Sequence, residues 1–297
     1  MMKKKLNFMT RISIAVCIGI LSLTACSNPR YIHSPTVHNA TFFRQQGDFK
    51  ISVAGAGNPA AMLEKDNSHE RSYGFDGQAA VAVTNHFMLT ASGMYRTEKD
   101  RYGNDDLDNG DVPIKVGYTR NMFEAGAGFF APLGHKTYFN GVVGVGFGQM
   151  ESTDRAVTPN PVRDRMFDAD LMKYYFHPSF NMFFNDYIRM SVAPRFSLLK
   201  LNNIKSTYTE AEETLLGYTD ARKHSFGLFE PSVVLQTGFR NNDWLKLDFG
   251  FNFSSDPFTT RSIDDEYGPY AKQYNVQSRN FMVSVGLSFY PMGNRNR

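Results

Sequence analysis

The stretch MFEAGAGFFAPLGHKTYFNGVVGVGFGQM, residues 122–150, decides the fold. In its first half Phe123, Ala125, Ala127, Phe129 and Ala131 alternate with Glu124, Gly126, Gly128 and Phe130. A Pro-Leu-Gly-His break follows, and then Phe139, Gly141, Val143, Val145 and Phe147 alternate with Asn140, Val142, Gly144, Gly146 and Gly148. Period two on both sides of a Pro/Gly turn predicts a β-hairpin. One face is apolar throughout, and the other is tiny or polar. A sandwich in water would carry charges on its outer face. Here the face suited to an interior carries the carboxylate and the glycines, which is the pattern of a membrane barrel.

The same alternation recurs along the chain. Ten strand candidates cover roughly 48–55, 73–84, 87–96, 114–131, 137–150, 170–183, 187–200, 224–239, 244–254 and 275–290. Connections at 85–86, 132–136, 184–186 and 240–243 are short. Those at 57–72, 97–113, 151–169, 201–223 and 255–274 are long and polar. Outer-membrane barrels have short periplasmic turns and longer outer loops. The expected fold is therefore all-β: a single antiparallel transmembrane β-barrel of about ten strands, with both chain ends on the periplasmic side. Phe87, Phe130, Tyr138, Phe184, Tyr187, Phe239, Trp244, Phe289 and Tyr290 flank the short-turn end, as an interfacial girdle would.

Composition agrees. Aromatics make up 14% of the 297 residues, mean hydropathy is −0.38, and no long apolar run follows the amino-terminal segment. The formal charge of +3 arises at the amino terminus. Lys3, Lys4, Lys5 and Arg11 are four of the 32 basic residues and no acid precedes Cys26, so the remainder holds 28 basic residues against 29 acidic ones. No nucleic-acid partner is expected.

Residues 1–25 read as a signal peptide: a basic start at Lys3–Lys5, a short apolar stretch over 12–23, then Leu23-Thr24-Ala25-Cys26. This ending resembles a bacterial lipobox. The resemblance implies cleavage before Cys26, with a diacylglycerol and an N-acyl (palmitate-type) lipid on that cysteine and no other cofactor. An ordinary secretory cut at Ala25, leaving a free thiol, is the alternative. Cys17 leaves with the signal, so the mature chain has one cysteine and no intrachain disulfide. Ser27 is not acidic, which by resemblance to lipoprotein sorting points to the outer membrane. The anchor is then expected in the periplasmic leaflet. Residues 26–47 read as the lipidated amino terminus and a polar tether, 48–290 as the barrel and 291–297 as a tail. Tyr31-Ile32-His33-Ser34-Pro35, His38-Asn39-Ala40-Thr41-Phe42-Phe43 and Gln46-Gly47-Asp48 resemble the start of a family of uncharacterised outer-membrane β-barrel lipoproteins. The aromatic-ended last strand, 281–290, resembles the terminal signal of barrel assembly, although 292–297 trail beyond it. The implied partners are outer-membrane lipid, the lipoprotein-processing machinery and the barrel-assembly machinery. The partner of the outer loops is not named by the sequence.

Parity along the strands places Phe75, Val83, Leu89, Phe196, Phe249 and Phe251 outside and a charged set inside: Lys50, Asp76, Arg96, Glu124, Lys173, His177, Arg189, Arg195, Glu230, Lys246 and Asp248. A ten-stranded bore is narrow. These residues are expected to pair across it as a structural network, because buried charges must be paired. A non-enzymatic structural or interaction role follows. The alternatives are a small-solute channel, a hydrolase using His177 (with Ser179 on its strand) or His224, and a lipid-anchored soluble periplasmic barrel enclosing a ligand. No catalytic motif accompanies either histidine. The acidic loop at 104–111 is expected to be solvated rather than a calcium loop, since its glycine is out of register.

Overall fold

A computed structural model describes residues 30–59, 70–102, 114–156, 164–185, 187–239, 242–256 and 276–291. Cys26, the signal peptide and the 104–111 loop lie outside the described residues. The strands are β1 (Arg30–His33), β2 (Phe49–Gly57), β3 (Glu70–Ala82), β4 (Phe87–Tyr102), β5 (Ile114–Pro132), β6 (Thr137–Ala156) and β7 (Arg165–Phe183). They continue with β8 (Ile188–Ala193), β9 (Phe196–Ser206), β10 (Phe226–Phe229), β11 (Ser232–Phe239), β12 (Asn242–Phe253), β13 (Val276–Ser278) and β14 (Phe281–Phe289). Two short helices, α1 (Glu210–Leu216) and α2 (Tyr218–Lys223), lie between β9 and β10.

The wall is a closed antiparallel barrel. Neighbours in sequence pair in turn from β2 to β7, β2 pairs with β14, and β8 closes the ring by pairing with both β7 and β11. Strands β8 and β9 are halves of one wall strand interrupted at Pro194-Arg195, and β10 and β11 are halves of another interrupted at Glu230-Pro231. The wall therefore has ten strands, as the alternation predicts. A proline has no N–H for the ladder, which suits Pro194 and Pro231 to such interruptions. The two breaks sit at one height, where Glu230 N donates to Arg195 O at 2.7 Å and Arg195 N to Glu230 O at 3.3 Å.

The barrel is polar inside and apolar outside. Phe123, Val143 and Phe147 of the opening hairpin are 58%, 60% and 54% exposed, whereas Glu124 and Asn140 on the same strands are buried. This is the reverse of the face distribution expected of a soluble barrel with an apolar interior. On β4 the outward apolar positions run from Phe87 to Tyr95, and on β6 from Phe139 to Phe147. Nine residues of tilted strand is the length that crosses a bilayer. Above this belt β4–β7 continue with Thr97 and Lys99, Asn121 and Thr119, and Gln149 and Glu151 facing out. Their long-loop ends therefore form a wall beyond the membrane; the strand predicted over 114–131 already reached its top in β5, whereas those at 87–96, 137–150 and 170–183 stopped short of it in β4, β6 and β7.

Three expectations change. First, Phe87, Phe184, Tyr187, Phe239 and Trp244 are exposed at the short-turn rim, but Phe130 and Tyr290 are buried. Tyr138 packs edge-on to Phe183 at 5.6 Å. These three close the lumen floor rather than join the girdle. Second, only 281–289 of the predicted 275–290 strand belongs to the wall, and Val276–Ser278 pairs in parallel with β1.

The third change is the largest. The supposed tether is not in solvent: Arg30–Pro35, His38 and Ala40–Phe43 are buried inside the barrel. Arg30 bonds Asp154, two residues from the long-loop end of β6, while Phe43 packs against Phe130 near the short-turn end of β5. The segment thus runs down the whole lumen before turning at Arg44–Asp48 into β2. The carboxyl-terminal end of β14 is at the short-turn rim as expected, but Arg30 is at the opposite rim. The two described ends lie on opposite sides.

An outward position defines the belt sharply enough to test. Val143→Arg should lower the unfolding free energy in lipid vesicles by about 2–4 kcal/mol, the cost of a cation at the midplane. Glu151→Arg, on the same strand and face but above the belt, should leave it unchanged within urea-titration error.

Candidate functional site

The lumen and its occupant hold a dense set of buried hydrogen bonds and ion pairs. Alternation alone turns the predicted charged set inward. Lys50, Asp76, Arg96, Glu124, Lys173, His177, Arg189, Arg195, Glu230 and Lys246 are all buried, and Asp248 is partly so. Their partners differ from the expected ones. Asp76, Arg96, Arg195 and Glu230 bind residues 30–43 as well as one another or a third member of the set, and Lys50 binds the segment.

The central cluster forms where the two strand interruptions meet β5 and β7. Glu124 accepts from Arg195 at 2.7 Å and lies 3.5 Å from Lys173. Glu230 accepts from Lys173 at 2.9 Å and from Ser197, and is hydrogen-bonded to His33 Nε2 at 2.8 Å. Arg195 also donates to Thr36 Oγ1 at 3.0 Å and lies 4.0 Å over the Tyr175 ring. Two carboxylates and two cations cancel in a dry space, and His33 and Thr36 tie the threaded segment to them. The glycines of the opening hairpin make the room: a Cβ on Gly126 would sit 2.6 Å from the Tyr175 hydroxyl.

Above this cluster Glu98 receives Arg120, Ser34, Ser72 at 2.8 Å and Arg279 at 3.0 Å. Arg279 also holds Asp100 at 2.8 Å and lies 4.1 Å over the Tyr31 ring. Arg120 donates to the Tyr31 carbonyl as well. Below, Asp76 pairs with Arg96 and accepts from Val37 N at 3.2 Å. Gln78 donates to Val37 O at 2.7 Å, and Lys50 to Ala40 O at 2.8 Å. His177 meets His38 edge-on, with ring centroids 4.4 Å apart, and His38 Nε2 is bonded to Ser191 at 2.8 Å. Arg189 lies 5.2 Å over Phe183 and 5.6 Å over Tyr290. Asp248 accepts from Gln236 at 2.8 Å and from Ser288, and Lys246 lies beside Gly238.

Glu98, Asp100, Arg120, Arg279 and the segment itself were missed by sequence reasoning. The charge alternation Arg96, Glu98, Asp100 was visible at period two, but Glu98 and Asp100 fell in a span read as loop. Arg120 shares the parity of Glu124. Nothing in the irregular 30–43 stretch marks it as lumen-bound. The two histidines weighed for a rim hydrolase lie in different settings. His177 is buried against His38, and His224 caps α2 in solvent with Nδ1 3.3 Å from Asp220 O. No group of three metal-ligating side chains occurs among the described residues.

The long-loop mouth is covered by α1 and α2. Tyr218 stacks on Phe167 with centroids 4.0 Å apart, and Leu216 and Ala221 pack with Ile32 and Val276 in one apolar cluster. A Thr209/Glu212 capping box starts α1, and Gly217, at φ +78°, joins the helices. Arg165 grips Glu212 at 3.0 Å through two nitrogens, and Arg222 grips Glu213 at 2.6 and 2.8 Å.

No family model matches the chain, and no curated protein matches it. Among solved structures it is similar to the outer membrane protease OmpT from Escherichia coli, at 7% identity and TM-score 0.42 over 82% of this chain and 94% of that one. It is similar to the transport unit of the autotransporter AIDA-I from Escherichia coli, at 6% identity and TM-score 0.42 over 86% and 93%. The translocator domain of autotransporter NalP from Neisseria meningitidis gives 11%, 0.39, 96% and 95%. At such values the likenesses carry no argument about what the chain does.

Two outcomes follow from this geometry. Glu230→Ala leaves Lys173 with only Glu124, at 3.5 Å, and frees His33, so it should cost about 3–5 kcal/mol, the usual penalty for halving a buried ion network. The exposed Arg155–Asp164 pair, at 3.5 Å, should tolerate Arg155→Ala with no measurable loss in the same titration. The mouth cover should respond to acid. Hydrogen bonds from Arg165 and Arg222 hold the Glu212 and Glu213 carboxyls below the usual range. Depressed folded values give stability that is present above the ordinary glutamate pKa of about 4.3 and lost as pH falls through the lower folded values. Hydrogen-exchange protection of 210–223 should therefore hold from neutral pH down to about 5 and fall below about 4, before the barrel itself opens.

Proposed function

We propose that the chain is an outer-membrane β-barrel lipoprotein with a structural or interaction role, lipidated at Cys26, whose barrel neither conducts solutes nor carries out catalysis. The observation that supports this reading is the occupied lumen. Residues 30–43 run its length, apolar clusters of Phe42, Phe43, Phe130 and Phe183 fill the short-turn end, and α1, α2 and Val276 cover the other. A channel needs a continuous water path, and here the polar groups that would line one are bonded to a peptide segment instead. Outer-membrane placement rests on the inverted distribution of apolar and charged faces, which suits lipid outside and a dry charged interior within. Lipidation rests on the order of basic, apolar and small residues before Cys26.

The contacts of such a protein with the outside would lie on the polar upper wall of β4–β7 and on the α1–α2 cover, because binding residues concentrate on parts held by a rigid scaffold. Planar-bilayer recording tests the closed reading. The purified protein, shown to be inserted by heat-dependent gel migration, should give no steady single-channel steps. Steady steps from the unaltered protein that change when Arg96 or Arg195 is replaced would overturn it in favour of a pore.

A further inference from the structure

The threaded segment fixes on which side of the membrane the amino terminus emerges. Its contacts descend the β3–β4 wall in order. Ser34 meets Glu98 and Pro35 O meets Arg96; then Val37 meets Asp76 and Gln78, and Asn39 meets Ala79 O at 3.2 Å. In the wall Ser72 faces Glu98, Gly74 faces Arg96, Asp76 faces Met94 and Gln78 faces Ser92, so each step is one pleat nearer the short turns. The descent ends at Lys50, which binds Ala40 O, and at Phe43 against Phe130. The reversal is fixed by Asp48 accepting from Arg44 N at 2.7 Å, by Gln46 N donating to Asn85 at 2.9 Å in the first short turn, and by Gly47 at φ +84°. At the other end β1 pairs with β13, and Arg30 bonds Asp154.

Cys26 lies only four positions before Arg30, a reach of at most about 14 Å at roughly 3.3–3.6 Å per residue. The short-turn rim is more than a hydrocarbon thickness, about 30 Å, away, down a lumen already filled. We infer that the amino terminus is displayed on the long-loop side, which for this class of barrel is the cell surface, and that the lipid on Cys26 anchors in the outward leaflet. This replaces the periplasmic leaflet expected from the sequence, and it rests on the lipoprotein reading above. Arg30 and Tyr31 leave against the tall β6 and β5 side of the wall, strands of 20 and 19 residues, and the rim drops to the 9-residue β2 and β14 farther round the ring.

Thiol labelling of intact cells with a membrane-impermeant maleimide tests side and lipid separately, using the full-length chain. Once Cys17 is removed and the Cys26 sulfur is acylated, the unaltered protein has no free thiol. Asn28→Cys should label in intact cells to the extent of Glu151→Cys on the upper wall. Lys136→Cys, in a short turn, should label only after the outer membrane is permeabilised. Labelling of Asn28→Cys only after permeabilisation, together with Lys136→Cys, would overturn the inference. So would the reverse pattern, with Lys136→Cys labelled on intact cells. Labelling of the unaltered protein through Cys26 would sink the lipoprotein reading and with it the outer-leaflet anchor, while Asn28→Cys would still report the side on which the amino terminus emerges.

Discussion

A charge on the wall of a lipid-embedded barrel has one place to go, and that place is dry unless water fills it. The outward face is closed to it at a cost of about 2–4 kcal/mol near the midplane. The inward face is closed to it unless a partner is supplied, since an unpaired buried ion costs several kcal/mol. Every inward Asp, Glu, Lys and Arg of this chain thus imposes a condition on some other group. A wide pore meets that condition with water. A ten-stranded bore holding large side chains has little room for it.

The solution here is peptide. An irregular segment carries backbone N–H and C=O groups that also need partners when buried. The wall needs donors and acceptors, and residues 30–43 need the same. Arg120 binds the Tyr31 carbonyl, Gln78 and Asp76 bind Val37 from both of its polar ends, and Lys50 binds the Ala40 carbonyl. At these positions each side supplies partners that the other needs. Arginine dominates the larger nodes. Its planar fork can reach a carboxylate and a carbonyl together, as Arg120 does with Glu98 and Tyr31.

Much of the barrel was legible because its signal is local. The parity of Phe123 and Glu124, or of Phe75 and Asp76, depends only on the pleat and on the lipid outside. Short and long connections then gave the ring its two rims. What the sequence left hidden depends on contacts far apart in the chain. Phe130 and Tyr290 look like girdle residues until Phe42 and Phe43 are known to lie inside. Asp100 looks like loop until Arg279, far along the chain, is seen to need it. The 30–43 stretch has no period, two prolines nearby and mixed polarity, which is how solvated linkers also read. Its order comes wholly from the surface that surrounds it. The charged set was therefore readable as residues, but not as a binding surface for the chain's own beginning.

The threaded lumen also limits how such a molecule can be assembled. The ring is sealed by β2 with β14, the first and last wall strands, whose pairing joins residues such as Val53 and Leu287. Arg30–Phe43 lies inside that ring, with Phe43 and Phe130 at the bottom and Tyr218 over the top. A segment bearing Tyr31, His38, Phe42 and Phe43 cannot be pushed in afterwards through an aperture only side chains wide. The wall must curl around it as a sheet wraps a rod, with the β2–β14 seam, or another strand pair, closing once the rod is in place. Leaving the fold then requires a seam to part rather than a segment to slide. Such a closure resists mechanical and proteolytic extraction by kinetics, over and above any gain in equilibrium free energy.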